Sequence, residues 1–160
     1  MEATTQRCPE CDAEMTVGPL GLLEGEEHGV HMKIQGMPAL QCPNGHKHFV
    51  APTFPGDLLD KLLAAPPLVP LDGAAEKGFF RKHYCCPVCG QTLDREGTGR
   101  VEATRAVELD GLDRFGVEVD LPSFRCASCG HECVEPHETL VGDLMKASAQ
   151  AFRSAHLAPG

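Results

Sequence analysis

Two short stretches decide how this chain folds: CPVCG, residues 86–90, and CASCG, residues 126–130. In each stretch two residues separate a pair of cysteines, and this spacing lets a tight turn aim both thiols at one point. Zinc prefers four tetrahedral donors, and two such turns commonly supply two donors each. With 36 residues between the pairs, the spacing predicts a zinc site. Its ligands are Cys86, Cys89, Cys126 and Cys129.

The first part of the chain carries a similar but incomplete set of donors. Cys8 and Cys11 form a pair of the same spacing within CPEC. The stretch CPNGHKH, residues 42–48, offers Cys42 as a third donor and no cysteine partner for it. A zinc site here needs a fourth donor of another type, and histidine nitrogen is the usual alternative to a thiolate. The competing interpretation is a degenerate site that binds no metal.

An internal repeat relates the two cysteine-rich parts. With an offset of 84 residues, MPALQC, residues 37–42, falls on LPSFRC, residues 121–126. This alignment matches a proline four residues before each cysteine, as well as the cysteine itself. Unrelated segments rarely share such positions in one register, so duplication is the economical interpretation.

The repeat register also locates the missing donor. It places Cys129 on Gly45, which has no side chain that can bind a metal. His46 lies one residue further on, and its imidazole can cover that extra step. We therefore predict His46 as the fourth ligand, with His48 as the alternative. Together the two sets predict two zinc ions per chain.

Two cysteines, Cys85 and Cys133, remain outside these sets. In the same register Cys133 falls on Phe49, an apolar position. This indicates a small buried apolar residue and not a metal ligand. Cys85 is predicted to be a bystander, and its exchange with Cys86 as the ligand is the alternative.

Alternating apolar and polar residues predict small antiparallel sheets beside these sites. Residues 100–109 and 114–121 alternate clearly and predict a hairpin. In the first part, residues 15–23 and 30–34 predict weaker strands that residues 24–29 join as a turn.

Leucine spacing predicts one helix after each second cysteine cluster, over 56–65 and 138–156. The second helix is longer than a small lobe needs, so its far end around Phe152 is a candidate homodimer surface. The pattern predicts a small, metal-stabilised α+β fold of two tandem zinc-ribbon-like lobes, each an antiparallel hairpin or sheet with a C-terminal helix. The predicted domains are a first lobe at 1–65, a Pro/Gly-containing linker at 66–81 and a second lobe at 82–160.

Composition supports metal as the stabilising element. The chain has 160 residues with no Trp and one Tyr, against 17 Gly and 13 Pro, which allows only thin cores. The sequence shows no apolar leader segment and no apolar run of about 20 residues. We therefore expect a cytoplasmic protein without membrane contact. Closely paired cysteines in a reducing compartment favour zinc over disulfides.

The charge balance limits the possible partners. The formal net charge is −9, and loading seven thiolates with two zinc ions makes it about −12. This acidity disfavours nucleic acid and predicts a protein partner with a basic surface. KGFFRKHY, residues 77–84, is the exception, a basic stretch with aromatic residues that could stack on bases. We favour a second interpretation, in which its aromatic rings pack the two lobes together.

The second lobe resembles the YgiT-type zinc finger, through CPVCG and then VEVDLPSFRCASCGHECVEP, residues 117–136, before a helix. The first lobe is similar to a diverged copy. The resemblance implies zinc binding by the four cysteines of the second lobe. It also implies an antitoxin or transcriptional regulator that holds a partner protein and binds DNA through a separate helix-turn-helix. No helix-turn-helix pattern follows the second lobe, so partner binding is what carries over.

These observations predict a zinc-binding protein-interaction module, a regulatory or antitoxin-like adaptor. Both predicted sites have four protein donors, which is typical of structural zinc and not of an enzyme. One alternative is a nucleic-acid-associated zinc ribbon in transcription regulation. The other is a thiol-based redox switch that uses Cys85 and Cys133.

Overall fold

The computed structural model describes residues 6–64, 68–94, 99–109 and 111–158. The helices are α1, Phe54–Leu63, and α2, His137–Ser154. The strands are β1 Gln6–Arg7, β2 Glu14–Pro19, β3 Leu23–Glu27, β4 Val30–Gln35, β5 Pro38–Gln41, β6 Lys47–His48, β7 Ala75–Lys77, β8 His83–Cys85, β9 Gly99–Val107, β10 Phe115–Arg125, β11 Glu132–Cys133 and β12 Leu157–Ala158. The fold is mostly sheet with two helices, and the helices predicted after the cysteine clusters are confirmed.

A central antiparallel sheet with the order β9, β10, β4, β3 joins the two parts of the chain. The β9–β10 hairpin is confirmed, with Phe115 opposite Val107. The other edge of β10 pairs with β4, placing Val119 opposite Met32. The two tandem lobes are therefore not confirmed, because strands from both share one sheet.

The main core lies between this sheet and the helices. Alternate residues of β4 and β10 are buried, as expected for strands with one covered face. Helix α2 covers β3 so closely that a Cβ atom on Gly25 would lie 1.9 Å from the Ala147 carbonyl oxygen. Phe152 is also buried, with its ring 4.9 Å from that of Phe49. The prediction that Phe152 offers a dimer surface is wrong, because the ring belongs to the chain's own core.

The segment predicted as the first-part turn is mostly a strand. Residues 24–27 belong to β3, which pairs with β4 up to Glu27 opposite Val30. Only His28 and Gly29 form the turn, with φ of 50° and 81°. Two consecutive positive φ values are typical of the type I′ hairpin turn, which suits the twist of the strands it joins.

The segment predicted as a linker is packed where the structure describes it. Leu68 and Val69 lie in the main core, and β7 pairs with β8 as a short hairpin. Its loop exposes Phe79 and Phe80 to 97% and 99% of their surfaces. The prediction that these rings pack two lobes together is therefore wrong. Only Tyr84 of that stretch packs inward, with its ring 5.6 Å from that of Phe124.

A second sheet, with the order β1, β2, β5, β6, β12, surrounds the first cysteine cluster. Its last strand comes from beyond α2 and pairs in parallel with β6, so that Leu157 lies opposite Lys47. The chain thus returns to the first cluster after passing the second. Among the described residues, no helix is long and apolar enough to cross a membrane.

Candidate metal centres

Two matching turns carry the donors of the second centre. After β8, Cys86 N–H donates to the Gln91 carbonyl and Gly90 N–H donates back to the Cys86 carbonyl. After β10, Cys126 N–H donates to the His131 carbonyl, and Gly130 N–H donates back to that of Cys126. Both glycines have positive φ, at 80° and 76°, where other residues are strained. This explains the glycine that follows each cysteine pair.

These turns bring the four predicted thiols together. The Cys86 and Cys129 sulfurs lie 3.6 Å apart, and those of Cys89 and Cys126 lie 3.4 Å apart. All four sulfurs lie within 4.8 Å of one another. Sulfurs on a tetrahedral zinc ion lie about 3.8 Å apart, given a Zn–S bond of about 2.3 Å, whereas disulfide sulfurs lie about 2.05 Å apart. The spacing therefore fits a metal ion and not a disulfide.

Backbone amides around this centre favour thiolate. The Val88 N–H points at the Cys86 sulfur at 3.4 Å. A hydrogen bond from the Cys129 backbone lowers the pKa of Cys126 to about 6. Because a thiolate is the form that binds metal, these amides prepare the donors for a cation.

The first centre unites Cys8, Cys11, Cys42 and His46, again within 4.8 Å of one another. His46 Nδ1 lies 3.4 Å from the Cys8 sulfur and 3.3 Å from the Cys42 sulfur. The Cys11 and Cys42 sulfurs are 3.7 Å apart. Nitrogen and sulfur donors on one zinc ion lie about 3.6 Å apart. His48 lies further away, with Nε2 3.9 Å from the Cys8 sulfur, and is outside this four-donor group.

Two side chains that the sequence did not single out support the first centre. Glu10 places Oε2 3.2 Å from His46 Nε2, so the carboxylate holds the imidazole with Nδ1 toward the thiols. Asn44 donates its amide to the Cys11 sulfur at 3.2 Å and lowers the pKa of Cys11 to about 6. Their signal is position alone, because each lies inside a cysteine motif.

The second turn of the first centre is one residue shorter than its counterpart. Gly45 N–H donates to Cys42, three residues back, whereas Gly130 N–H reaches four residues back to Cys126. Gly45 thus corresponds to Gly130, and no residue of this turn occupies the place of Cys129. The missing cysteine is a deletion and not a substitution by glycine.

The deletion changes the repeat register beyond the turn from 84 to 85. Leu40 lies opposite His48 in the same way that Phe124 lies opposite Cys133. His48 therefore occupies the position of Cys133, and the predicted match of Cys133 with Phe49 is wrong by one residue.

The two remaining cysteines lie outside both four-donor groups. Cys85 is 2% exposed and pairs through its backbone with Thr92. Cys133 is fully buried, and burial raises its pKa to about 11. Both behave as small buried apolar residues, and in the structure the ligand of this pair is Cys86.

A buried acidic cluster lies apart from the metal centres. Asp143 of α2 is 3% exposed and faces His28 of the β3–β4 turn, with 3.0 Å between Oδ1 and Nδ1. Glu135 hydrogen-bonds Asp143, and burial followed by this contact raises the pKa of Glu135 to about 8. The two carboxyl groups therefore share a proton near neutral pH.

Three surface features remain. The basic aromatic tip comprises residues 77–82 of the β7–β8 hairpin. The acidic groove, a depression of about 650 Å³, is lined by Val50, Phe54, Asp57, Asp60, Leu109 and Leu112, with Lys61 beside them. The helix groove, a depression of about 400 Å³ between the helices, is lined by Phe49, Leu59, Met145, Phe152, Arg153 and Leu157.

No protein-family model, curated protein or solved structure matches this chain. The resemblance to the YgiT-type zinc finger therefore stays a prediction. What the chain can do has to be argued from its own donors and surfaces.

Proposed function

We propose that this protein is a zinc-stabilised protein-interaction module of the cytoplasm, a regulatory or antitoxin-like adaptor without enzymatic activity. Support for a structural metal comes from the donor sets. Each has four protein donors, which closes a tetrahedral ion against water or substrate. Structural zinc sites contribute folding free energy, on the order of 10 kcal/mol in small zinc-binding peptides.

Zinc is the ion we propose for both centres. Four thiolates in a tetrahedron suit zinc or iron, but the imidazole of the first centre shifts the preference toward zinc. A hydrogen bond with the Cys11 sulfur and a second with that of Cys42 raise the pKa of His46. The thiolates therefore attract positive charge to the place where the ion would lie.

The interaction role rests on one observation, the exposure of Phe79 and Phe80. Apolar rings at 97% and 99% exposure are rare on soluble proteins unless a partner covers them. The hairpin that carries them continues directly through Cys85 into Cys86 of the second centre. A metal bound there would fix the root of the hairpin and thereby pre-organise the tip for binding.

The two alternatives have weaker support. The net charge of −9 opposes a long contact with a phosphate backbone. The redox switch requires reactive thiols, but Cys133 is fully buried with a raised pKa, which keeps the thiol protonated and unreactive.

Site-specific crosslinking in the native cell tests the proposal. A photoreactive residue replacing Phe80 should capture a distinct protein, and the purified partner should then bind the wild-type chain directly. The same residue at Val17, which is 56% exposed on β2, is the matched control and should not capture that protein. Adducts confined to nucleic acid, or identical adducts from both positions, would overturn the proposal.

A further inference from the structure

The basic aromatic tip has a clear chemical demand. Within residues 77–85 there are three positive charges and no carboxylate. Lys82 lies 3.3 Å from Glu76, while among the described residues neither Lys77 nor Arg81 forms an ion pair. The neighbouring Phe79 and Phe80 rings have centroids 6.1 Å apart. The tip therefore requires a concave apolar surface with carboxylates at its rim.

The acidic groove offers such a surface on the same molecule. Its walls are apolar, including Phe54 and the partly buried Leu109 and Leu112. Asp57 and Asp60 are exposed on the α1 side. A depression of about 650 Å³ has room for two phenyl rings.

We propose that the basic aromatic tip of one chain binds in the acidic groove of a second copy of this chain. This inference rests on the proposed function, since it names the partner of the same tip. Two chains related by a two-fold axis could make the contact twice, each tip entering the other chain's groove. Phe79 and Phe80 would lie against Phe54 and its neighbours, and Arg81 and Lys82 against the carboxylates.

Charge distinguishes the acidic groove from the other candidates. The helix groove is more apolar, but the one charged side chain among its lining residues is Arg153, which repels the tip. Single-stranded nucleic acid would satisfy both rings and cations, yet it would meet a body of net charge −9 behind only three cations. A second copy satisfies the tip and the groove together.

The oligomeric state of the zinc-loaded full chain tests this proposal. Light scattering after size-exclusion chromatography should show dimers or larger oligomers that dissociate on dilution. Replacing both rings, Phe79→Ser with Phe80→Ser, should raise the dissociation constant by about 100-fold or more. Val17→Ser removes an exposed apolar side chain elsewhere and should leave the dissociation constant unchanged. Metal content measured for every variant shows that it is folded.

A charge exchange makes the test specific to this pair of surfaces. Arg81→Glu and Asp60→Lys should each weaken self-association, and an equimolar mixture of the two should associate more tightly than either alone. A monomeric wild type at high concentration would overturn the inference, as would dimers that all these variants retain. Neither result touches the proposed function, because crosslinking from Phe80 to a different protein would still support it. A monomer that binds single-stranded oligonucleotides through the tip would overturn both.

Discussion

Glu10 Oε2 lies 3.2 Å from Nε2 of His46, while Nδ1 of the same ring faces the thiols of Cys8 and Cys42. One imidazole thus connects a surface carboxylate to the first metal centre. A carboxylate on the distal nitrogen fixes the tautomer and orientation of a ligating histidine and raises its basicity.

We therefore expect Glu10→Gln to weaken zinc binding at the first centre by about 10- to 100-fold. Competition with a chromophoric chelator measures this affinity. The second centre serves as an internal control, because its four thiolates do not contact Glu10. Equal loss at both centres, or no loss at the first, would show that the contact does not orient the ligand.

The two histidines near the first centre should behave differently. His46→Ala removes a donor, so elemental analysis should find one zinc ion per chain, and the turn between β5 and β6 should lose stability. His48→Ala should retain two ions, because His48 lies outside the four-donor group. If His48→Ala alone loses an ion, His48 is the ligand.

The close packing of α2 on β3 predicts a large effect of one methyl group. Gly25→Ala would place a Cβ 1.9 Å from the Ala147 backbone oxygen, so the helix must shift. We expect a loss of about 1–3 kcal/mol or more in the free energy of unfolding. Gly116→Ala is the matched control, since a Cβ there meets nothing within 4 Å. Similar denaturation midpoints for both variants would contradict the packing.

The buried acidic cluster predicts a pH dependence. The pKa of Glu135 is raised to about 8, so the folded chain holds a proton that the unfolded chain releases near pH 4.5. Stability should therefore fall as pH rises from about 4.5 to about 8, by an amount on the order of a few kcal/mol.

Glu135→Gln isolates this contribution, because the amide can still donate to Asp143 and cannot ionise. Unfolding curves of the two proteins should diverge with rising pH, with the variant more stable at pH 8. The thiols and the pair of His28 with Asp143 are common to both proteins, so their titration largely cancels in the difference. Parallel pH profiles would show that Glu135 is ionised in the folded chain.

Local patterns in the sequence predicted much of this structure. The spacing of Cys86 and Cys89 encodes a turn, and the leucine repeat around Leu58 and Leu62 encodes a helix that buries one face. These signals arise within a few residues of one another. The four donors of each centre and both helices were therefore accessible without the structure.

Features that depend on distant pairing were not accessible. The alternation of Val30, Met32 and Ile34 shows that β4 has a buried face but does not say that its edge pairs with β10. The shortened turn was hidden because an ungapped offset already matched the cysteine before Gly45. Phe79 was expected to be packed, because the sequence marks a ring as apolar without showing whether a cavity receives it.

The parallel pairing of β12 with β6 affects the order of events during synthesis. The donors of the first centre, Cys8 to His46, leave the ribosome early, whereas Leu157 must pair with Lys47 across 110 residues of chain. At about 5 to 20 residues per second, this separates the two events by roughly 5 to 20 seconds. An ion captured at the first centre would hold the nascent knuckle in place until the last strand arrives to cover its sheet edge.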